Sequence, residues 1–406
     1  MAVLAACISA SPAAPQPPAA PAVAQPAEAE PGVTLRAIEA DARLGRSAAV
    51  VVEQGALVHT AILYPLDAQG RLQGGADAHA QAAAVLDGVA TALRAAGSDL
   101  DRIARLHVYV ADDSVTPSVD RLLAERFTGA VKPAVTLVES RIPHAGVLVA
   151  MDAVGVTRRS KTVPPERIVV TGLAPVPGDG AHVAVQADGA FVIVSGRAAP
   201  GAFEAAVRGT MEQLRGDLRR VGLGLGHIVQ VKAFLGDIAR AADLQRIVAS
   251  TFQGTAPPQV VTEWRGGSLP VEIELVATAP GATSAAERLT LVEPISARYS
   301  RIARVFGGRP IFVSGLTGTS DDPAAQVREV FEELRRVLAA SGSDMRHLAK
   351  ATYYVSDKAA DQEINTVRPS IYDATRPPAA SKISVPGTGR PGKRTVIDMI
   401  AVTTGR

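Results

Sequence analysis

Short apolar runs and amphipathic stripes alternate along this chain in a fixed order. Ala49-Val50-Val51-Val52-Glu53 and Leu57-Val58-His59-Thr60-Ala61-Ile62-Leu63 are apolar runs separated by Gln54-Gly55, which predicts a β-hairpin. From Ala78 to Ala96 the residues Ala82, Val85, Leu86, Val89 and Leu93 recur at spacings of three and four, which predicts an amphipathic helix stopped by Gly97. A strand from Ile103 to Val110, a short helix from Val119 to Phe127 and strands at Ala134 to Val138 and Val147 to Val154 complete the series. The order is strand, strand, helix, strand, helix, strand, strand.

That order returns twice. The second pass has a hairpin at Ala187-Asp188-Gly189, helices over Phe203 to Val221 and Leu244 to Phe252, and strands at Ile228 to Leu235 and near Gln259 and Val271. The third has a turn at Gly307-Gly308, helices over Pro323 to Ala340 and Ala359 to Tyr372, and a last strand from Thr395 to Val402. Pro369 is expected to kink or break the last helix. Landmarks keep one period: Tyr109, Phe234 and Tyr354 lie 125 and 120 residues apart, as do Gly97, Gly222 and Gly342, and Asp152, Glu274 and Asp398 lie 122 and 124 apart. The period is too long for a solenoid repeat and suits a small domain, so a whole α+β unit is read as triplicated. Each unit predicts a mixed sheet with two helices on one face. The other face needs a partner, and three such faces in one chain can satisfy one another. The boundaries read as 1–35, 36–157, 166–280 and 288–406.

Composition is that of a soluble globular protein, 47% apolar and 20% charged over 406 residues. The net charge of +2 and the lack of a long basic block disfavour nucleic acid as a partner; Arg158-Arg159-Ser160-Lys161 reads as a solvated linker. The first 35 residues are Ala/Pro-rich and hold no Lys or Arg, which predicts a flexible segment. Leu4-Ala5-Ala6-Cys7 resembles a bacterial lipobox, so Cys7 is the candidate lipidation site and the membrane is a partner only through it. Met1 to Ala6 is too short for a signal peptide. Two readings stay open: an envelope or periplasmic lipoprotein whose start codon lies upstream, or a cytoplasmic protein with an incidental thiol. None of the seven histidines pairs at metal-ligand spacing, so no metal or other cofactor is expected.

Phe191-Val192-Ile193-Val194-Ser195-Gly196-Arg197 and Phe312-Val313-Ser314-Gly315-Leu316 resemble the Phe-x-Ser-Gly-Gln strand of the reactive-intermediate deaminases. This is the RidA or YjgF family, formerly called L-PSP endoribonucleases. Tyr299-Ser300, Lys350-Ala351-Thr352-Tyr353-Tyr354-Val355 and the strand starts Pro133-Ala134 and Pro378-Ala379 add to the resemblance, which covers about residues 45 to 404 in three copies. It implies a chorismate-mutase-like fold and, since family members are homotrimers with a cleft at each interface, an intramolecular pseudo-trimer that stays monomeric. It also implies hydrolysis of imines and enamines, with an Arg clamping the substrate carboxylate through a planar fork.

The positions matching that Arg are Val135, Gln259 and Ala380, so the clamp is lost three times. Arg197 is the replacement candidate, with a strand-end Arg facing solvent as the plainer alternative. By resemblance the acids Asp152, Glu274 and Asp398 are catalytic candidates, each able to act as a general base or to be structural. Ser195, Ser314, Tyr299 and Gln259 are ligand-binding candidates. The expected function is a divergent family member that binds a small imine, enamine or carbonyl metabolite in inter-repeat clefts. The alternatives are an imine or enamine deaminase with a relocated site, and a scaffold tethered through Cys7.

Overall fold

The computed structural model describes residues 32–159, 164–187, 189–280 and 288–405; Cys7, most of the Ala/Pro-rich stretch and part of the basic linker lie outside them. The first unit runs β1 (Thr34–Asp41), β2 (Arg46–Gln54), β3 (Ala56–Thr60), α1 (Ala78–Ala95), β4 (Ile103–Val110), α2 (Thr116–Arg126), β5 (Ala134–Glu139) and β6 (Val149–Thr157). The second runs β7 (Glu166–Ile168), β8 (Val183–Val185), β9 (Phe191–Arg197), α3 (Phe203–Arg220), β10 (Ile228–Leu235), α4 (Ala241–Ala249), β11 (Gln259–Glu263) and β12 (Val271–Thr278). The third runs β13 (Leu289–Ser296), β14 (Tyr299–Val305), β15 (Pro310–Leu316), α5 (Pro323–Ser341), β16 (Leu348–Val355), α6 (Lys358–Ile371), β17 (Ala379–Ser384) and β18 (Thr395–Val402). The fold is mixed α+β with one curled sheet.

The long helices form where the apolar stripe predicts them. Asp77 caps α1 by accepting from His79 and Ala80, and Asp322 caps α5 with Pro323 at the first helical position. Gly342 ends α5 in the left-handed region at φ 81°, and Gly97 and Gly222 repeat that conformation at the ends of α1 and α3. α6 does not break at Pro369 but continues to Ile371: the proline falls in the last turn, where few further hydrogen bonds remain to be lost.

Two of the expected hairpins, at Gln54-Gly55 and Gly307-Gly308, do not form, and the turn expected at Ala187-Asp188-Gly189 falls partly outside the described residues. β2 and β3 flank Gly55, yet β2 pairs antiparallel with β1 and with β15 of the third unit, whereas β3 pairs with β6 and with β8 of the second. Likewise β14 pairs with β9 rather than with β15. Both flanking strands are buried apolar runs, and such a pattern does not say which strand is the partner. β1 is a further strand that the pattern hides, because Ile38 alone among its residues is buried.

The cross-unit ladders are cyclic. Val50 faces Phe312 between units one and three, Ile302 faces Val194 between three and two, and Ala184 faces His59 between two and one. Within each unit a short link accompanies the ladders: the bridge of Ser47 to Ala134 in the first, the bond from Ala181 N–H to the Ala256 carbonyl (2.9 Å) in the second and the bridge of Ser300 to Ala379 in the third. Each unit packs its helices against the sheet over an apolar core, built for example on Leu86 and Leu106, Leu214 and Val231, or Leu334 and Tyr353, that also takes in a neighbouring unit's strand residues such as Val183, Ile302 or Val51. Two further apolar clusters draw residues from all three units, one around Val50, Ile193 and Ile400 and one around Tyr109, Phe234 and Tyr354.

Candidate functional site

Strands β4, β10 and β16 bring one residue per unit to each level of the shared interior. His107 faces Asp152, Lys232 faces Glu274 and Thr352 faces Asp398 across the antiparallel ladders, so the three acids occupy equivalent positions. One step along, Tyr109, Phe234 and Tyr354 face Ala150, Glu272 and Val396. Asp152, Glu274 and Asp398 are only 1%, 8% and 1% exposed.

These acids form a charge network between the two shared apolar clusters. His107 Nδ1 lies 3.2 Å from Asp152 Oδ2 and its Nε2 lies 2.9 Å from Asp398 Oδ2, while Tyr109 donates to Asp152 Oδ1 at 2.7 Å. Lys350 Nζ donates to Glu274 Oε2 at 2.5 Å, and Ser381 donates to the same oxygen. Lys232 Nζ donates to the Tyr354 hydroxyl at 2.8 Å and lies 5.5 to 5.7 Å from the centroids of Tyr354, Phe234 and Tyr109. Burial pushes Asp152 up, but the charge and hydrogen bond of His107, with Lys232 and Arg105 beyond, outweigh it and hold the carboxyl at about 2. Asp398 is lowered in the same way, and Lys350 and Lys232 overcome burial to lower Glu274. Burial lowers Lys232.

The three seams between units differ from one another. Where units one and three meet, Ser314 Oγ accepts from the Val135 N–H at 2.8 Å and donates to the Ser47 carbonyl at 2.5 Å. Where three and two meet, Ser195 Oγ accepts from Ala380 N–H at 2.8 Å and donates to the Ser300 carbonyl at 2.7 Å. Both hydroxyls stitch a seam. At the third seam Thr60 Oγ1 accepts instead from Ala153 N–H at 2.9 Å. Gln259 there donates to the Gln245 carbonyl at 3.2 Å, and its buried Oε1 has no partner among the described residues.

The seam of units one and two encloses a cavity of about 360 Å³ among Ile62, Tyr64, His144, Leu173, Val176 and Gln245. The rings of Tyr64 and His144 meet edge to face at 4.4 Å. Burial raises the Tyr64 hydroxyl and lowers His144, so both are neutral at pH 7. Among the described residues no Lys or Arg lines the cavity, and the acids Asp67 and Asp87 that do are paired with Arg71 and Arg126.

The seam of units one and three is an open groove of about 700 Å³ that includes Val135, Ser314 and Arg46. Among the described residues the Arg46 guanidinium has no hydrogen-bond or ion-pair partner, and burial followed by repulsion from Arg390 lowers its pKa. Arg197, the replacement candidate, lies at the seam of units two and three. Its Nε and Nη2 both donate to the buried Asp217 carboxylate at 2.7 Å, so its fork is already occupied. Tyr299 lies at the same seam, its ring under Arg301 at 5.5 Å.

Glu272 escaped the sequence reading. A Cβ at Gly196 would meet its Oε1 at 2.0 Å, so the carboxyl lies directly against the Ser195-Gly196 strand. Burial and the adjacent Glu274 charge push it up to about 7, against the pull of Lys350, Ser381 and Arg301. The signal was available: Val271-Glu272-Ile273-Glu274 carries two acids, and only Glu274 has acidic counterparts in the other units.

The model of the endoribonuclease L-PSP family matches residues 37–157 and 290–403. The chain belongs to this family. Protein DfrA of Myxococcus xanthus is 33% identical over 113 residues, 26% of this chain and 85% of that protein. Among solved structures, NMB1025 of Neisseria meningitidis, a YjgF family member, is 30% identical over 25% of this chain and 86% of that one, with a TM-score of 0.23. YyfB of Yersinia pestis, from the Rid family, is 25% identical over 30% of this chain and 98% of that one, with a TM-score of 0.29. The L-PSP match covers units one and three; residues 158–289 lie between its two regions.

Proposed function

We propose that the chain is three RidA-type units folded as an intramolecular pseudo-trimer, and that it binds a small uncharged metabolite in the seam of units one and two without the Arg-dependent deaminase reaction. The repeated element order and the cyclic ladders support the pseudo-trimer. The observation that carries the ligand class is the cavity of about 360 Å³, which has small-molecule size, an apolar wall and no cation to hold a carboxylate. Val135, Gln259 and Ala380, at the three positions where the family resemblance expects the clamp, agree with it.

The test is calorimetric titration and melting of the full chain with phenol, indole and 2-oxobutyrate, beside Gly88→Leu. Gly88 borders the cavity, its nearest side chains being Leu173 and Leu63 at 3.8 and 3.9 Å from an added Cβ, so leucine occupies ligand space. Phenol or indole should bind and raise Tm in the wild type but not in Gly88→Leu. Binding by 2-oxobutyrate alone, or an unchanged response in the variant, defeats the reading.

A second reading, imine hydrolysis at the seam of units two and three, is favoured by Glu272. A carboxyl with a pKa of about 7 beside Ser195 is half ionised at neutral pH and suits a general base. Turnover of 2-iminobutyrate that is lost in Glu272→Gln and kept in Arg197→Ala supports it; no turnover sinks it.

A further inference from the structure

We propose that a monovalent anion of halide size binds on the central axis, in the cavity of about 30 Å³ bordered by Arg105, His107, Lys232 and Lys350. This site is separate from the seams. The charges that line the cavity support it. The two ring nitrogens of His107 face Asp152 and Asp398, whose carboxyls are held low. Around the cavity itself stand Arg105, Lys232 and Lys350 with His107, and the carboxylates of Asp152 and Glu274.

Lys232 is the cation without a paired acid. Glu274 is hydrogen-bonded by Lys350 and the two aspartates by His107, whereas among the described residues the only hydrogen-bond acceptor for Lys232 is a neutral tyrosine hydroxyl. Three ring faces attract an ammonium but carry no net charge. The cavity wall is one-sided, since Arg105, Lys232 and Lys350 border it together with the His107 ring and only two of the acids, Asp152 and Glu274, do. Arg105 adds a waiting donor: it is 8% exposed, and its buried Nε has no partner among the described residues. A cavity of about 30 Å³ admits one monatomic ion or a water and excludes a tetrahedral oxyanion.

The site also explains the unequal axis. Equivalent positions carry His107, Lys232 and Thr352, and at the level of Arg105 they carry Gln230 and Lys350. Three identical chains would place three identical charges there. One covalent chain can place a single caged lysine.

The experiment uses the full chain exchanged into sodium gluconate, with Tm followed during titration by chloride, bromide or sulfate at constant ionic strength. Chloride and bromide should each raise Tm saturably by roughly 5 °C, and sulfate should match gluconate. Lys232→Met should not respond to halide. Bromide-soaked crystals of the wild-type protein supply a readout that does not depend on the variant's folding, with an anomalous peak expected between Arg105 and Lys232. Equal melting in chloride and gluconate, a Lys232→Met response equal to wild type, or a crystal without the peak overturns the proposal and assigns Lys232 as a neutral amine.

Discussion

Lys350 and Glu274 form an ion pair of 2.5 Å that joins the third unit to the second across 76 positions of sequence. Both side chains are buried, at 4% and 10% exposure. Removing one partner strands the other in a poorly solvated interior, which costs about 3 kcal/mol or more. Lys350→Met should therefore lower the unfolding free energy by about that amount, and Lys350→Met with Glu274→Gln should recover part of it. Urea denaturation of the full chain checks this. A single variant within about 1 kcal/mol of wild type would show that Lys232 and Ser381 suffice to hold Glu274.

Asp152 gives a prediction for acid. Its folded pKa, about 2, lies below the unfolded value near 3.8, so it stabilises the fold above the unfolded value and loses that contribution as pH falls toward 2. The size is about 2 kcal/mol. Stability should fall between pH 4 and 2 in the wild type, and Asp152→Asn should flatten that limb while lowering stability at pH 7, where His107 and Tyr109 lose an ionised partner. Stability measured against pH for both proteins decides; parallel acid limbs would place the proton uptake elsewhere.

The two seam arginines should respond in opposite ways. Arg197 neutralises Asp217, which is 1% exposed and among the described residues otherwise has only Arg220 at 3.4 Å, so Arg197→Ala should cost about 2 kcal/mol. Arg46 gives up solvation without gaining a partner, so Arg46→Met should cost less than about 0.5 kcal/mol or be stabilising. Equal losses in denaturant midpoints would mean that Arg46 is held by contacts as firm as those of Arg197.

Much of the fold was legible because each element announces itself locally. The stripe of α1, the glycine after each long helix and the run of β4 needed no tertiary information, and Ile103–Val110, Ile228–Leu235 and Thr395–Val402 end where their patterns end. What stayed hidden depends on which strand lies beside which. β2 and β3 look like a hairpin to any local reading, yet they pair into different units. The axial network was hidden for the same reason: His107, Lys232 and Lys350 are single polar residues in apolar strands, and only the cyclic ladders gather them. The acids Asp152, Glu274 and Asp398 were visible by their period, but their period marks the axis. The seam acid Glu272 breaks the period, since Ala150 and Val396 stand at its equivalents.

Glu272 carries the prediction that separates a functional carboxyl from an incidental one. Its folded pKa of about 7 exceeds the ordinary glutamate value of 4.5, so the neutral form is favoured on folding. The sign therefore opposes that of Asp152: the contribution is complete below about pH 4.5 and is lost as pH rises through 7. Wild-type stability should drop between pH 5 and 8 by an amount on the order of 2 kcal/mol, and Glu272→Gln, neutral throughout, should lack that drop and be the more stable protein at pH 8. If 2-iminobutyrate is turned over, its rate should rise through the same pH interval, because the ionised carboxylate is the base. A stability drop with no turnover would make Glu272 a strained relic against Gly196. Coincidence of the two profiles would tie the chemistry to that one side chain, since Asp152 and Glu274 are already ionised across the whole range.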